Sequence, residues 1–314
     1  MNTFGKTGIG NEQVYNQGFS LCIYLNERFG KDVFQNISSE ISKPFQYSFE
    51  SAIKIVTGVD YSDIYNDWIQ ELSIKYRQKI ISIQNSNIII EDDGTTNLHP
   101  VWSPNGEKFA FLSNSAKDYF GQTDLYVYSF LDSTKTKIAD GVFSAPTWAS
   151  DSTIIFSKKS KPNNNGSKFY DLYLVNIFDK KYKEKRLTYD LRLTSPVIEI
   201  TNNIIAGVGI YDGTSNIFIS NLMNDKGGYD LSDIDKLDSL EFEKVTSFDN
   251  GEKIFSLSIK NGNIIYDVVT SYGRDVYQIN SPDKFSIPMI NEYWDERDPF
   301  SVNDSTTIFS SDMN

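Results

Sequence analysis

Residues 99–114 read HPVWSPNGEKFAFLSN. A proline is followed two residues later by tryptophan, then by a Ser-Pro-Asn-Gly turn and an alternating apolar run. Alone, the stretch describes one β-hairpin. It is not alone. PVWSPNGEKFAFLS from Pro100 is followed by PTWASDSTIIFSKK from Pro146, PVIEITNNIIAGVG from Pro196 and PFSVNDSTTIFSSD from Pro299. A weaker copy without the proline, SLSIKNGNIIYDVV, starts at Ser256.

Equivalent second-strand positions are Phe111, Phe156, Ala206, Tyr266 and Phe309, spaced 45, 50, 60 and 43 residues apart. A second module trails four copies: DLYVYSF (124–130), DLYLVNI (171–177), NIFISNL (216–222) and DVYQINS (275–281). A third, TKIADG, KRLTYD or EKVTSF, closes three of them. Repeats of this length built from short strands describe four-stranded propeller blades. Such a sheet is apolar on both faces and cannot bury itself alone. Stacking is expected to place Trp102, Trp148, Phe111 and Phe156 in the core between blades, and NIIIEDDG (87–94) is expected as an outer strand.

The pattern Pro-x-Trp-Ser-Pro-Asn-Gly followed by Asp-Leu-Tyr-Val closely resembles the TolB-type β-propeller repeat, whose consensus centres on Pro-x-Trp-Ser-Pro-Asp-Gly. The resemblance covers roughly residues 87–314 and is best in 100–128 and 146–175, whereas Ile198 and Ser258 stand where later copies should carry Trp. The fold it implies is mainly β with a small α part at the N-terminus. About five blades are detectable, the last incomplete, preceded by a four-helix segment. The repeat serves periplasmic binding proteins, peptidase accessory domains and lyases alike, so it implies fold more than activity.

Residues 15–77 have helical periodicity. Tyr15, Phe19, Cys22, Ile23 and Phe29 are expected on one face, with Gly30 as a stop; Val33, Ile37 and Ile41 follow at i, i+4, i+8. Ser48 is placed as an N-cap and Gly58 as a C-cap around Phe49, Ile53 and Val56. A fourth helix starts at Ser62 or Asp63 and carries Tyr61, Tyr65, Trp68, Leu72 and Tyr76, and strand-like KIISIQ begins at Lys79. The domains expected are therefore 1–78 and 79–314. The helical stretch resembles the C-terminal end of gluzincin-type metallopeptidase domains, whose His-Glu-x-x-His helix would lie upstream of Tyr15. By that resemblance both ends look cut, and the fifth copy stops at Asn314 after its second strand.

Composition narrows the function classes. The 314 residues carry a formal net charge of −12, which argues against nucleic acid as partner. Residues 1–78 account for −2 and the remainder for −10. No apolar run approaches a membrane span, and the polar start carries no signal peptide. A lone Cys22 excludes an internal disulfide. A catalytic zinc needs three protein ligands, and the chain's one histidine, His99, cannot begin such a site. No metal or cofactor is expected, zinc entering only with an upstream peptidase domain. No Gly-x-Ser-x-Gly elbow is present, and GIGNEQ (8–13) fails the phosphate-loop pattern and is expected as a flexible approach to the first helix. Asp230, Asp233, Asp235 and Asp238 do not follow calcium-loop spacing and are taken as a solvated acidic insertion.

The residues just before each first-strand position are His99, Ala145, Ser195, Phe255 and Asp298. By resemblance to TolB-type propellers they would ring one mouth of the central channel, with Asp295, Glu296 and Arg297 adding polarity. The candidate ligand-contacting residues are His99, Ser195, Asp295, Arg297 and Asp298. The function expected is a non-catalytic module that binds a protein, peptide or glycan in an envelope or secreted protein. The alternatives are the C-terminal portion of a zinc metallopeptidase and a TolB-like component of an envelope complex. An extracytoplasmic location is implied by the resemblances alone.

Overall fold

A computed structural model describes residues 8–46, 48–81, 90–119, 121–222, 240–280, 285–303 and 305–313. The chain divides into two compact units, Met1–Asp92 and Asp93–Asn314.

The first unit holds four helices: α1 (Gly8–Phe29), α2 (Val33–Ile41), α3 (Phe49–Thr57) and α4 (Tyr61–Ile81). Its core gathers Leu21, Tyr24, Leu25, Val33, Ile37, Ala52, Ile53, Ile64 and Trp68. The caps of α3 follow the sequence: Ser48 Oγ accepts from Ser51 N at 3.2 Å, and Gly58 takes the left-handed conformation at φ +75°. Three expectations are corrected here. Residues 8–13 belong to α1 rather than to a flexible approach. The buried face of α1 is Leu21, Tyr24 and Leu25, while Tyr15 and Phe19 are 71% and 69% exposed. Both faces of α1 repeat at helical spacing, and the aliphatic pair Leu21/Leu25 is the one that packs. Finally, α4 runs through Lys79, Ile80 and Ile81, so the change of period comes later than Lys79.

The second unit is a β-propeller of four four-stranded blades and one two-stranded sheet among the described residues. Blade 1 is β1 (Asn97–Trp102), β2 (Lys108–Ser113), β3 (Asp124–Ser129) and β4 (Thr134–Ala139). Blade 2 is β5 (Thr147–Ser150), β6 (Thr153–Lys159), β7 (Tyr170–Asn176) and β8 (Glu184–Arg186). Blade 3 is β9 (Leu193–Glu199), β10 (Ile204–Tyr211), β11 (Thr214–Asn221) and β12 (Glu243–Lys244). Blade 4 is β13 (Lys253–Lys260), β14 (Asn263–Thr270), β15 (Gly273–Ile279) and β16 (Ser286–Ile290). The fifth sheet pairs β17 (Glu296–Asn303) with β18 (Thr306–Ser311). Every pairing is antiparallel and sequential. Of the expected outer strand at 87–94, residues 90–94 are loop, and the rest lies outside the described residues.

Middle strands bury both faces, as stacking requires. In β7, Tyr173 and Val175 face blade 1 while Leu172 and Leu174 face blade 3. Cross-strand aromatic pairs recur at one register: Phe111 with Tyr126, Phe156 with Tyr173 and Tyr266 with Tyr277, ring centroids 5.8, 6.1 and 5.8 Å apart. Such pairs stabilise a sheet by about 0.2–1 kcal/mol each. Blade 3 has Ala206 opposite Ile219 instead.

Phe111, Phe156 and Trp148 are buried as expected, but Trp102 is not. It is 58% exposed and stacks on Phe130 at 5.2 Å. Alternation explains this: Val101 faces blade 2, so Trp102 faces the opposite side, which no other blade among the described residues covers.

Candidate functional site

The first strand of each blade packs against the first strand of its neighbour, which sets these five strands innermost. Two hydrogen bonds fix their relative level. Ser195 N donates to Ser144 Oγ at 2.7 Å, and Ser301 N donates to Ser258 Oγ at 3.0 Å. These link the same or adjacent repeat positions, so the inner strands begin at one common end.

At that end four of the five inner strands carry a register shift. It lies between Leu98 and Val101 in β1, Ile254 and Leu257 in β13, and Arg297 and Phe300 in β17. In blade 3 it sits where Thr194 and Val197 of β9 pair with Val208 and Ala206. Bulges of this kind re-aim side chains and are common beside functional sites. His99, Ser195 and Asp298 occupy the shifts with φ of +54°, +50° and +51°. A left-handed backbone at three non-glycine residues is a local strain that the surrounding sheet must hold. Pro146, Pro196 and Pro299 are buried, whereas His99, Phe255 and Asp298 are exposed and Ala145 and Ser195 half-buried.

Of the five candidate residues, His99 and Asp298 come together. Burial depresses the imidazole below its ordinary value, and the Asp298 carboxylate acts in the opposite direction. Arg297 pairs instead with Asp295, Nη2 to Oδ2 at 2.8 Å. Ser195 is tied by its backbone to the junction of blades 2 and 3. Glu296, expected to add polarity to the mouth, is 2% exposed and turns inward.

Sequence reasoning missed Arg274. Its guanidinium stacks over Phe255 at 4.5 Å, pairs with the fully buried carboxylate of Asp267, and reaches within 3.9 Å of Asp298 Oδ1. Asp267 is held in turn by Ser256, whose N and Oγ donate to Oδ1 at 2.8 and 2.6 Å. The signal was a departure from the repeat: arginine where the other copies have Thr123, Tyr170 and Ser215. At the common end of the inner strands, Arg274, anchored by the buried Asp267 carboxylate, thus stands beside the exposed Asp298 carboxylate and the Phe255 ring. Asp230, Asp233, Asp235 and Asp238 lie outside the described residues.

No protein-family model matches the sequence, and no curated protein matches it. Solved β-propellers do. A prolyl endopeptidase is similar over 69% of this chain and 32% of its own, at 9% identity and TM-score 0.48. A protein of Agrobacterium tumefaciens assigned as TolB is similar over 62% of this chain and 69% of its own, at 14% identity and TM-score 0.44. The β-propeller domain of the Trilobed protease from Pyrococcus furiosus is similar over 68% of this chain and 75% of its own, at 12% identity and TM-score 0.38. The chain is a β-propeller preceded by four helices. It spans about a third of the prolyl endopeptidase it resembles, and the catalytic domains of the peptidase neighbours are not covered. No helix among the described residues is long and apolar enough to cross a membrane.

Proposed function

We propose that this chain is a non-catalytic binding module whose inner-strand mouth takes a peptide or an extended segment of a partner protein, in an extracytoplasmic setting. One observation carries the reading. Three strained, bulged positions at a common end present His99, Ser195 and Asp298, and Asp298 lies beside the anchored Arg274. Fixed donors and acceptors of both signs beside the Phe255 ring suit a backbone with mixed side chains. A strained backbone held at a recognition surface keeps the groups preorganised, which lowers the entropic cost of binding.

The test is selection of a random peptide library on the immobilised chain, then fluorescence anisotropy of a labelled selected peptide. His99→Asn with Asp298→Asn keeps residues that tolerate a left-handed backbone and removes the charge and the imidazole. Binding weakens at least tenfold in this double variant. Equal affinity for variant and wild type, or no enrichment from the library, contradicts the proposal.

A further inference from the structure

Arg192 is the residue before β9 and stands three residues ahead of Ser195. Antiparallel order returns the β6–β7 and β10–β11 connections to the end where the inner strands begin. Those connections supply two rings: Phe169, the residue before β7, and Tyr211, the last residue of β10. The Arg192 guanidinium lies over both, its Cζ 4.6 Å from the Phe169 centroid and 5.3 Å from that of Tyr211.

Each member of this contact is held from behind. Tyr211 Oη donates to the carbonyl oxygen of Leu191 at 2.9 Å. Ser160 N donates to the carbonyl oxygen of Phe169 at 2.7 Å, and Phe169 N donates to Ser160 Oγ at 3.2 Å. The buried Asp171 accepts from Asp190 N and Leu191 N at 3.2 and 3.3 Å, which fixes the segment that carries Arg192. Arg192 itself takes a left-handed backbone at φ +55°, uncommon for a long side chain.

Arg192 differs from the other arginines of the second unit in having no carboxylate. Arg186 pairs with Asp171, Arg274 with Asp267 and Arg297 with Asp295. Half-buried in a chain of net charge −12, Arg192 makes no ion pair and donates no hydrogen bond among the described residues. Ring contacts use the flat faces of a guanidinium and leave its N–H donors, which lie in its plane, unspent. Those donors form a fork that matches a carboxylate bidentately. One guanidinium balances a monoanionic carboxylate, whereas a phosphate dianion needs a second cation. Arg186, on the same connection, is already bound to Asp171 and Asp190.

We infer that Arg192, with Phe169 and Tyr211, is a carboxylate-binding subsite at the mouth end of the propeller, between the connections of blades 2 and 3. It takes a carboxylate of the bound peptide, from an Asp or Glu side chain or from the C-terminus, while the rings cover the apolar atoms beside it. The inference rests on the reading of the mouth as a peptide site and adds a preference for acidic peptides.

The test follows the six arginine Nε–Hε signals of the isotope-labelled full chain by NMR. Arg192→Lys, which keeps the charge and loses the fork, assigns the Arg192 signal by its disappearance. If that variant does not fold, nuclear Overhauser contacts with the Phe169 and Tyr211 rings assign it instead. Three probes are added at constant ionic strength: acetyl-Gly-Gly with a free C-terminus, its amide, and acetyl-Asp-Gly amide. The Arg192 signal shifts saturably with the two carboxylates, in the millimolar range, and stays still with the uncharged amide. The stronger of the two carboxylates identifies the source, a peptide C-terminus or an internal acidic residue. A signal indifferent to all three probes overturns the subsite. So does a shift that the uncharged amide reproduces, or one that inorganic phosphate at equal concentration exceeds. These probes need no library-selected peptide, so the two readings fail separately. A responding Arg192 with no peptide selected removes the mouth reading and keeps the carboxylate site; a selected peptide that binds while Arg192 ignores every probe does the opposite.

Discussion

Trp148 of blade 2 donates its indole N–H to the carbonyl oxygen of Val101 in blade 1, 2.8 Å away. The ring fills the junction between the two sheets, where Ala110, Leu112, Val127 and Phe156 meet it. Trp102 holds the matching place in blade 1, with no blade covering its side among the described residues. One repeat position thus gives two energetic outcomes. Trp148→Ala costs about 3–5 kcal/mol of stability, and Trp102→Ala costs less than about 1 kcal/mol. Urea denaturation of the two variants checks this, and equal losses would contradict the stacking described.

Asp171 is fully buried and accepts from Arg186 Nη2 at 2.7 Å besides its bonds to Thr188, Asp190 and Leu191. Removing it strands those donors and leaves Arg186, a quarter exposed, without its buried partner. Asp171→Ala is expected to cost about 3 kcal/mol. Asp190→Ala, at the exposed end of the same network, costs less than about 1 kcal/mol. Thermal unfolding of the two variants measures the difference.

His99 is the only histidine, so its imidazole gives one NMR signal. Its pKa falls below the ordinary imidazole value because burial disfavours the charged form. The Asp298 carboxylate opposes that shift, so Asp298→Asn lowers the pKa further. The unfolded chain then binds the proton more readily than the folded one. His99 therefore favours folding above its unfolded pKa, and that contribution is lost as pH falls through the ordinary imidazole range toward the depressed value. An NMR titration of wild type and variant tests the sign; an unchanged or raised pKa in the variant would break the link between the two residues.

The repeat was legible because each blade writes the same local chemistry: a turn, a period of two and apolar faces on both sides of its middle strands. What escaped has physical reasons. Trp102 carries the motif, but burial depends on a neighbouring sheet that the motif does not encode. Pro288 hid β16, since proline is tolerated on an outer edge strand and is otherwise a breaker. Helical spacing put Tyr15, Phe19, Cys22, Ile23 and Phe29 on one face of α1, and the packing went to Leu21, Tyr24 and Leu25, which repeat at the same spacing. At the site, alignment of the repeats picked out His99, Ser195 and Asp298 because they share a register. Arg274 and Asp267 were invisible to that method, because they matter where blade 4 departs from the other copies. Glu296 was assigned to the mouth by its neighbours in sequence, although a strand turns alternate side chains to opposite faces.

The measurement that tests the proposed mouth most directly follows the His99 imidazole signal while a library-selected peptide is added to the full chain. The account predicts a saturable shift of that single resonance with a matching change in the His99 pKa, both abolished by Asp298→Asn with Ser195→Asn. A peptide that binds with the same affinity while the His99 signal stays still would place recognition elsewhere and contradict it.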